Sequence, residues 1–525
     1  MKTLHFFAYK ISLVIFCALL IASCSNNSSG SSGGSGVNGD STKTDTVPHN
    51  AQANALPFSL EFVQQAYNGQ APFPRIQAYV SLFVEDQYLL IIGGRRQGLH
   101  TFQGPPTNNF IPDSSNNYIF VLDLRTGTSS SFNVDSLSPD LSAPLQSANQ
   151  EIYYDRPTDQ VYIIGGYGWN AAKTNMLTFN TIINFKAKPL IAAIRNRQPP
   201  AKIASLLNFA SDKLGRFAVT GGELFMRDSK FYLVFGQNFT GQYRAFGGSD
   251  FTQKYTEETR VFTLKPNTLE ILSYGSIPGS NNADHPLHRR DGNTVEDIDP
   301  ATGASRIAAF GGVFQPGAIA PYTYPIYIKS PSGYDIDTTG NQKFSQYECP
   351  VISIFDSASA NPTMYHTFFG GIGHYYYFQT PSQKAAFDTV TKEGRNDGFP
   401  FVADVTTFLH SKDGSYNEFI HTNPIPGNRL VGATAKFWVN ESFILKGVTY
   451  PNGVIKLPMF SNNRKTLIGY IYGGIEAQNP LPLAPNTGTF VSNSVFAVYL
   501  TRSPTAAIPA GFGHASSKDY QVIRK

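Results

Sequence analysis

A short apolar run ending in a pair of glycines recurs along this chain, and that recurrence constrains its fold more than any other feature. The copies are Tyr88-Leu-Leu-Ile-Ile-Gly93-Gly94, Val161-Tyr-Ile-Ile-Gly165-Gly166, Arg306-Ile-Ala-Ala-Phe-Gly311-Gly312, His366-Thr-Phe-Phe-Gly370-Gly371 and Tyr470-Ile-Tyr-Gly473-Gly474. A sixth, Phe231-Tyr-Leu-Val-Phe-Gly236, keeps only the second glycine. Four or five unbroken apolar residues read as a strand buried on both faces, and the glycines stop it where the backbone turns or packs closely. Upstream of the runs lie further strand-like segments: Gln77 to Val84, Glu151 to Tyr154, Arg216 to Thr220, Val351 to Phe355 and Val431 to Val439. Downstream, third strands are legible at Tyr118 to Leu124, Thr259 to Leu264 and Ser494 to Leu500, and fourth strands at Ser129 to Val134 and Leu269 to Tyr274. The unit is therefore four antiparallel strands, repeated six times.

A buried second strand ending in Gly-Gly, followed by a third ending in a turn such as Arg125-Thr-Gly127, resembles the kelch repeat. That resemblance implies an all-β fold: a six-bladed kelch-type β-propeller with four-stranded antiparallel blades, related to the central domain of galactose oxidase. The chain departs from the pattern in its longer units and in having only two tryptophans, Trp169 and Trp438. A pair of β-sandwiches is the alternative architecture. The sixth unit ends on its third strand, so the segment Phe58 to Val63 is expected to supply the missing outer strand and join the two ends of the domain. After the proline pair Pro199-Pro200, apolar residues at helical spacing as far as Asp212 predict a short surface helix between the second and third blades.

Before the repeats, Lys2 and Lys10 precede the apolar run Ile11 to Ile21, which has the form of a signal-peptide core. Leu20-Ile21-Ala22-Ser23-Cys24 then looks like a bacterial lipobox, which implies cleavage after residue 23 and a diacylglycerol on Cys24. Ser25, in place of an aspartate, implies the outer membrane. Residues 24–55 are Ser, Gly, Asn, Asp and Thr with almost no large apolar residue, the composition of a flexible tether. The expected organisation is a signal peptide 1–23, a tether 24–55, a propeller 56–502 and a C-terminal tail 503–525. Of the three cysteines, only Cys349 remains beyond the anchor, so neither an intramolecular disulfide nor a cysteine-rich metal site is expected. A net charge of +4 with no basic tract gives no sign of nucleic-acid binding, and a monomer without cofactor or metal is expected.

The loops entering first strands and those leaving second strands share one face of such a unit. Before first strands stand Arg75, Asn149, Arg216, Arg289, Arg290, Asp291 and Glu348; after the glycine pairs stand Arg95, Arg96, Tyr167, Trp169, Gln237, His374, Tyr375 and Glu476. Guanidinium groups, carboxylates and aromatic rings around one channel suit a carbohydrate or an acidic ligand. The residues selected as ligand contacts are Arg75, Arg95, Arg96, Trp169, Arg290, Asp291, Glu348 and His374. Arg75 is equally suited to bridging neighbouring units, Glu348 to pairing with an arginine, and one of Arg289 and Arg290 to holding units together. The expected function is binding of a glycan or an envelope protein at the channel face, with the membrane reached through the lipid anchor. The alternative is a mutarotase resembling the six-bladed sialic-acid epimerases, for which Arg289, Arg290 and Glu348 supply arginines and a general acid/base. Galactose-oxidase-like copper chemistry is disfavoured because Tyr365-His366 lies inside a buried strand and nothing marks Cys349 as a cross-linking partner.

Overall fold

The computed structural model describes residues 56–66, 73–101, 107–243, 250–265, 268–278, 285–317, 320–330, 333–340, 342, 344–377, 399–421, 425–480, 482, 488–503, 512–514 and 520–522. The expected signal peptide, Cys24 and the tether lie outside the described residues.

Six principal sheets are built on the same plan, a core of four antiparallel strands that follow chain order in the first five. The first holds Val80–Val84, Tyr88–Ile92, Tyr118–Asp123 and Thr128–Asn133; the second Glu151–Asp155, Gln160–Ile164, Thr181–Lys186 and Asn208–Ser211. The third holds Glu223–Arg227, Lys230–Val234, Glu258–Leu264 and Ile271–Pro278; the fourth Asn293–Ile298, Ser305–Phe310, Ile326–Ser330 and Gly333–Ile336. The fifth holds Val351–Asp356, Thr363–Phe369, Val405–Ser411 and Tyr416–His421, and is extended by Ile455–Lys456 and Phe512–His514. In the sixth, Lys436–Val439, Lys465–Tyr472 and Val495–Arg502 are joined by the N-terminal strand Phe58–Gln64. That strand runs antiparallel to the last from Phe58 opposite Arg502 to Gln64 opposite Phe496, as the missing outer strand of the sixth unit required.

The apolar runs are unbroken because both faces of each sheet are covered. Val80, Leu90 and Ile119 meet Val161, Ile163 and Phe185 between the first and second sheets. Ile164 and Ile182 meet Leu224, Leu233 and Phe262 between the second and third. Tyr232 and Val261 meet Ile307 and Ile328 between the third and fourth, and Phe310 and Tyr327 meet Phe368 and Phe408 between the fourth and fifth. Ile352 and Leu409 meet Ile468 and Val498 between the fifth and sixth. Tyr472 and Val495 of the sixth then pack on Leu89 and Ile91 of the first. Each side chain of this size contributes about 1.5–3 kcal/mol when buried.

Three expectations about elements are corrected. Arg216 to Thr220 is not a strand: Phe217 and Val219 are buried, but the Val219 carbonyl accepts from Gly166 N (2.8 Å), and the strand begins only at Glu223. Val431 to Val439 is two strands, Leu430–Ala433 in a small side sheet and Lys436–Val439 in the sixth sheet, separated by Thr434 at φ 63°. The helix after Pro199 is only Pro200–Ala204; the longer helix is Ala187–Arg195, and both lie inside the second sheet's unit, between its third and fourth strands. Leu190, Ile191 and Ile194 bury that longer helix against the first sheet. The tail beyond residue 502 also contributes strands, Phe512–His514 and Tyr520–Val522.

Candidate functional site

Two residues upstream of each first strand, or three in the fifth unit, the backbone turns left-handed: Ala78 (φ 52°), Asn149 (49°), Gly221 (71°), Asp291 (54°), Glu348 (48°) and Thr434 (63°). Only the glycine adopts this conformation without steric cost, and the β-branched Thr434 is the least suited to it. The surroundings hold the others there. Asn149 N donates to Ala78 O (2.9 Å), Gly221 N to Asn149 O (3.4 Å), Asp291 N to Gly221 O (2.8 Å) and Thr434 N to Glu348 O. Ala78 N donates to Thr434 Oγ1 (3.0 Å), returning from the sixth unit to the first. Between Asp291 and Glu348 the link is a hydrogen bond between their carboxyl groups. One residue from each unit thus joins a hydrogen-bonded ring, and strain of this kind collects at functional sites.

The residue before each ring member pairs with the one after each glycine pair: Gln77 with Arg95, Ala148 with Tyr167, Thr220 with Gln237, Arg290 with Val313, Tyr347 with Ile372, and Ala433 with Ile475. These pairs, Ala433 excepted, wall a cavity of about 150 Å³; the whole void with its mouth is about 1050 Å³. The wall is polar from Gln77 round to Arg290 and apolar over Val313, Ile372 and Ile475. His100, Phe110, Tyr243, Phe314 and Phe399 enclose it from the loops, and Phe239 from the strand Gln237–Thr240. On the other side of the ring a cavity of about 40 Å³ holds Glu151, Glu223 and Lys436.

Arg95 is the least satisfied charge here. It is 4% exposed; its guanidinium lies 4.3 Å from the centre of the Phe110 ring and reaches only the Tyr167 carbonyl, at 3.4 Å. Its Nη1 has no hydrogen-bond partner, and no carboxylate pairs with it among the described residues. Burial lowers its pKa to about 10, so it stays charged at neutral pH. Arg290, by contrast, is ion-paired with Asp291 and donates from Nε to the Tyr255 hydroxyl (3.0 Å). Burial, the charge of Asp291 and the hydrogen bond to its carboxyl push Glu348 well above the ordinary 4.5; Asn149 Nδ2 donates to its Oε1 (3.1 Å). Burial, reinforced by the Arg95 and Arg290 charges, lowers His100 to about 4, so its ring is neutral at pH 7. Burial likewise pushes Glu151, below the ring, well above the usual carboxylate range, while Gly222 N donates to it (3.0 Å).

Of the eight residues selected from sequence, Arg95, Arg290, Asp291 and Glu348 line the cavity. Arg75 is exposed and donates to the Val491 carbonyl (3.0 Å). Arg96 follows the inward Arg95 along extended chain and so points outward, to the carbonyls of Asp113 and Ser115. His374 packs on Phe399 and leaves the cavity wall to it. Trp169 lines a separate pocket. Of the other residues on the expected face, Asn149, Tyr167 and Gln237 line the cavity, while Arg216 pairs with Asp212 and Glu476 with Arg429. Arg289 is the strut of its run: 2% exposed, it donates to the carbonyls of Pro286, Gly311 and Tyr324.

Sequence reasoning missed Gln77, Thr220 and Thr434, although they occupy the same repeat positions as residues it found. Following the glycine-pair phase through every unit would have found them. His100, Phe110, Tyr243 and Phe399 come from long loops with no repeat position and carried no such signal. No metal-binding group of His, Cys, Asp and Glu occurs among the described residues. Tyr365 and His366 are buried as expected, His366 between Asp297 (2.9 Å) and Ser353 (3.1 Å). No family model and no curated protein matches this chain.

Proposed function

We propose that the six sheets are the blades of a kelch-type propeller whose central cavity binds a small acidic saccharide, on a lipoprotein anchored through Cys24 to the outer membrane. The circuit of apolar interfaces from the first sheet to the sixth and back supports the propeller, as does the ring to which every unit contributes one residue. The anchor rests on the sequence alone.

One observation carries the ligand class: Arg95 holds a buried positive charge with no acid partner among the described residues, its Nη1 without a hydrogen bond, in the wall of the central cavity to which all six units contribute. Leaving a buried charge unpaired is costly, and a carboxylate on the ligand relieves it with bidentate geometry. The aromatic residues of the mouth supply faces for a sugar ring. A cavity of this size suits a saccharide better than the flat contact that a protein partner requires. On an array of neutral and acidic glycans, residues 56–525 are expected to retain uronic or nonulosonic acids. Retention of neutral glycans alone contradicts the reading.

A second reading is favoured by the Asp291–Glu348 pair. A carboxyl whose uncharged form is favoured by burial and by a hydrogen-bonded neighbouring carboxyl is equipped to give and take a proton, as opening and closing a sugar ring requires. Faster interconversion of N-acetylneuraminate anomers, followed by NMR and lost in Glu348→Gln while binding persists, would identify a mutarotase.

A further inference from the structure

Beside the central cavity, and separated from it by the segment Asn109-Phe110, lies a second pocket of about 200 Å³. It forms on a four-stranded side sheet of Tyr167–Trp169, Met176–Thr178, Gln237–Thr240 and Thr252–Tyr255, which insertions in the second and third units build. Its described lining has a different chemistry from the cavity: carboxamides of Asn108, Asn175 and Gln242, the Thr174 hydroxyl, the Asp250 carboxylate and the indole of Trp169, with no Lys, Arg or His.

The lining is held in place by its own contacts. The Trp169 indole N–H donates to the Phe110 carbonyl (3.2 Å), which fixes the ring while it packs on the cluster of Phe110, Tyr167, Met176 and Phe239. Gln242 Nε2 donates to Asn108 Oδ1 (2.9 Å), and the Asn108 amide donates to none of the described residues. Asn170 Oδ1 accepts from the backbone of Thr174 (2.9 Å) and Asn175 (3.4 Å), so the turn that presents Asn175 is set before any ligand arrives. The Asn175 carboxamide itself makes no hydrogen bond to the described residues.

From this geometry we infer that the pocket is a binding site for a neutral sugar ring, distinct from the central cavity. A carboxamide offers donors and an acceptor at once, which matches hydroxyls that do both. A fixed indole edged by such groups offers a flat apolar surface to the C–H face of a pyranose. Without a cation in the described lining, the pocket has nothing to favour an acid. The inference does not depend on what fills the cavity.

The chain has two tryptophans, and Trp438 is buried at 8% exposure, so Trp169 is the optical reporter. The purified protein is titrated with lactose, cellobiose and N,N′-diacetylchitobiose, following tryptophan emission and saturation-transfer NMR. At least one sugar is expected to shift the emission and shield it from acrylamide, and Trp169→Phe is expected to remove that signal. Trp169→Ala is expected to weaken saturation transfer at least tenfold and Asn175→Ala about threefold, with Arg95→Ala unchanged. Absence of any response to all three sugars, or wild-type binding by both pocket variants, overturns the inference. So does loss of neutral-sugar binding in Arg95→Ala, which assigns that sugar to the cavity. Failure of an acid to bind at Arg95 leaves the pocket untouched, so the two readings fail separately.

Discussion

At the scale of single residues, the Asp291–Glu348 pair sets two opposite expectations for replacements of similar shape. Burial and the neighbouring Asp291 charge favour the uncharged form of Glu348, which Glu348→Gln mimics, so that replacement should change stability by less than about 1 kcal/mol. Asp291→Asn removes the ionic partner of Arg290, whose side chain is 11% exposed, and should cost about 3–5 kcal/mol. Urea unfolding at pH 7 compares them; equal losses would contradict the assignment. The same group predicts a pH dependence. Above pH 4.5 the unfolded chain releases the Glu348 proton while the folded chain keeps it, up to the raised folded value. The unfolded state then binds fewer protons, and stability falls as pH rises through that window. Glu348→Gln removes this slope, so its stability relative to wild type should improve from pH 5 to pH 8, and parallel profiles would refute the protonated state. His100 and His374, both lowered to about 4 by burial, act in the other direction, losing stability as pH falls from 6.5 towards 4. At this scale the sequence revealed charges by position in the repeat but not by partner. Arg95 and Arg96 are adjacent and identical in type, and only the alternation of extended chain sends one into the cavity and the other outward.

Among the elements, the closing strand and the glycine pairs were legible because each obeys a rule that sequence carries directly. The sixth unit lacked a strand and Phe58 to Val63 had the composition to supply it; in the structure Phe58 is fully buried and Phe62 nearly so. Phe58→Ala should therefore cost about 3–5 kcal/mol in chemical unfolding, although Tyr365, on which its ring packs at 5.2 Å, lies far along the chain. An effect below 1 kcal/mol would mean that the strand closes nothing. Gly94, at φ 89°, would bring an added Cβ within 2.5 Å of the Gln77 carbonyl. Gly94→Ala should lower the melting temperature by several degrees, whereas Ala at Gly303, which has open space around it, should cost only its backbone strain. The third unit shows why such reading fails. Arg216 to Thr220 has strand composition and is followed by Gly221-Gly222, yet Phe217 and Val219 are buried as loop. Periodicity reports burial, and only pairing makes a strand. The helix Ala187–Arg195 escaped because its apolar stripe runs straight on from the strand Thr181–Lys186, with no capping residue to mark the change.

For the whole molecule, the cavity belongs to no single unit: its walls come from all six, and its floor is a ring passed from each unit to the next. The repeat phase therefore reached part of the cavity lining in sequence, Arg95, Arg290, Asp291 and Glu348, even though no motif named a reaction. The mouth was illegible because its residues lie on loops of irregular length. An assembled ring also explains how a lone arginine is kept buried, since the folding of six interfaces supplies the free energy that its desolvation costs. The central claim is that this arginine awaits an acid, and isothermal titration of N-acetylneuraminate and of glucuronate into wild type, Arg95→Ala and Arg96→Ala tests it most directly. Arg96 carries the same charge one residue away on the exposed side, so it controls for net charge. A charge-assisted hydrogen bond is worth about 1.5–3 kcal/mol, so Arg95→Ala should weaken the bound acid roughly 10- to 150-fold while Arg96→Ala binds as wild type. Equal affinity in all three proteins, or equal loss in both variants, would contradict the account.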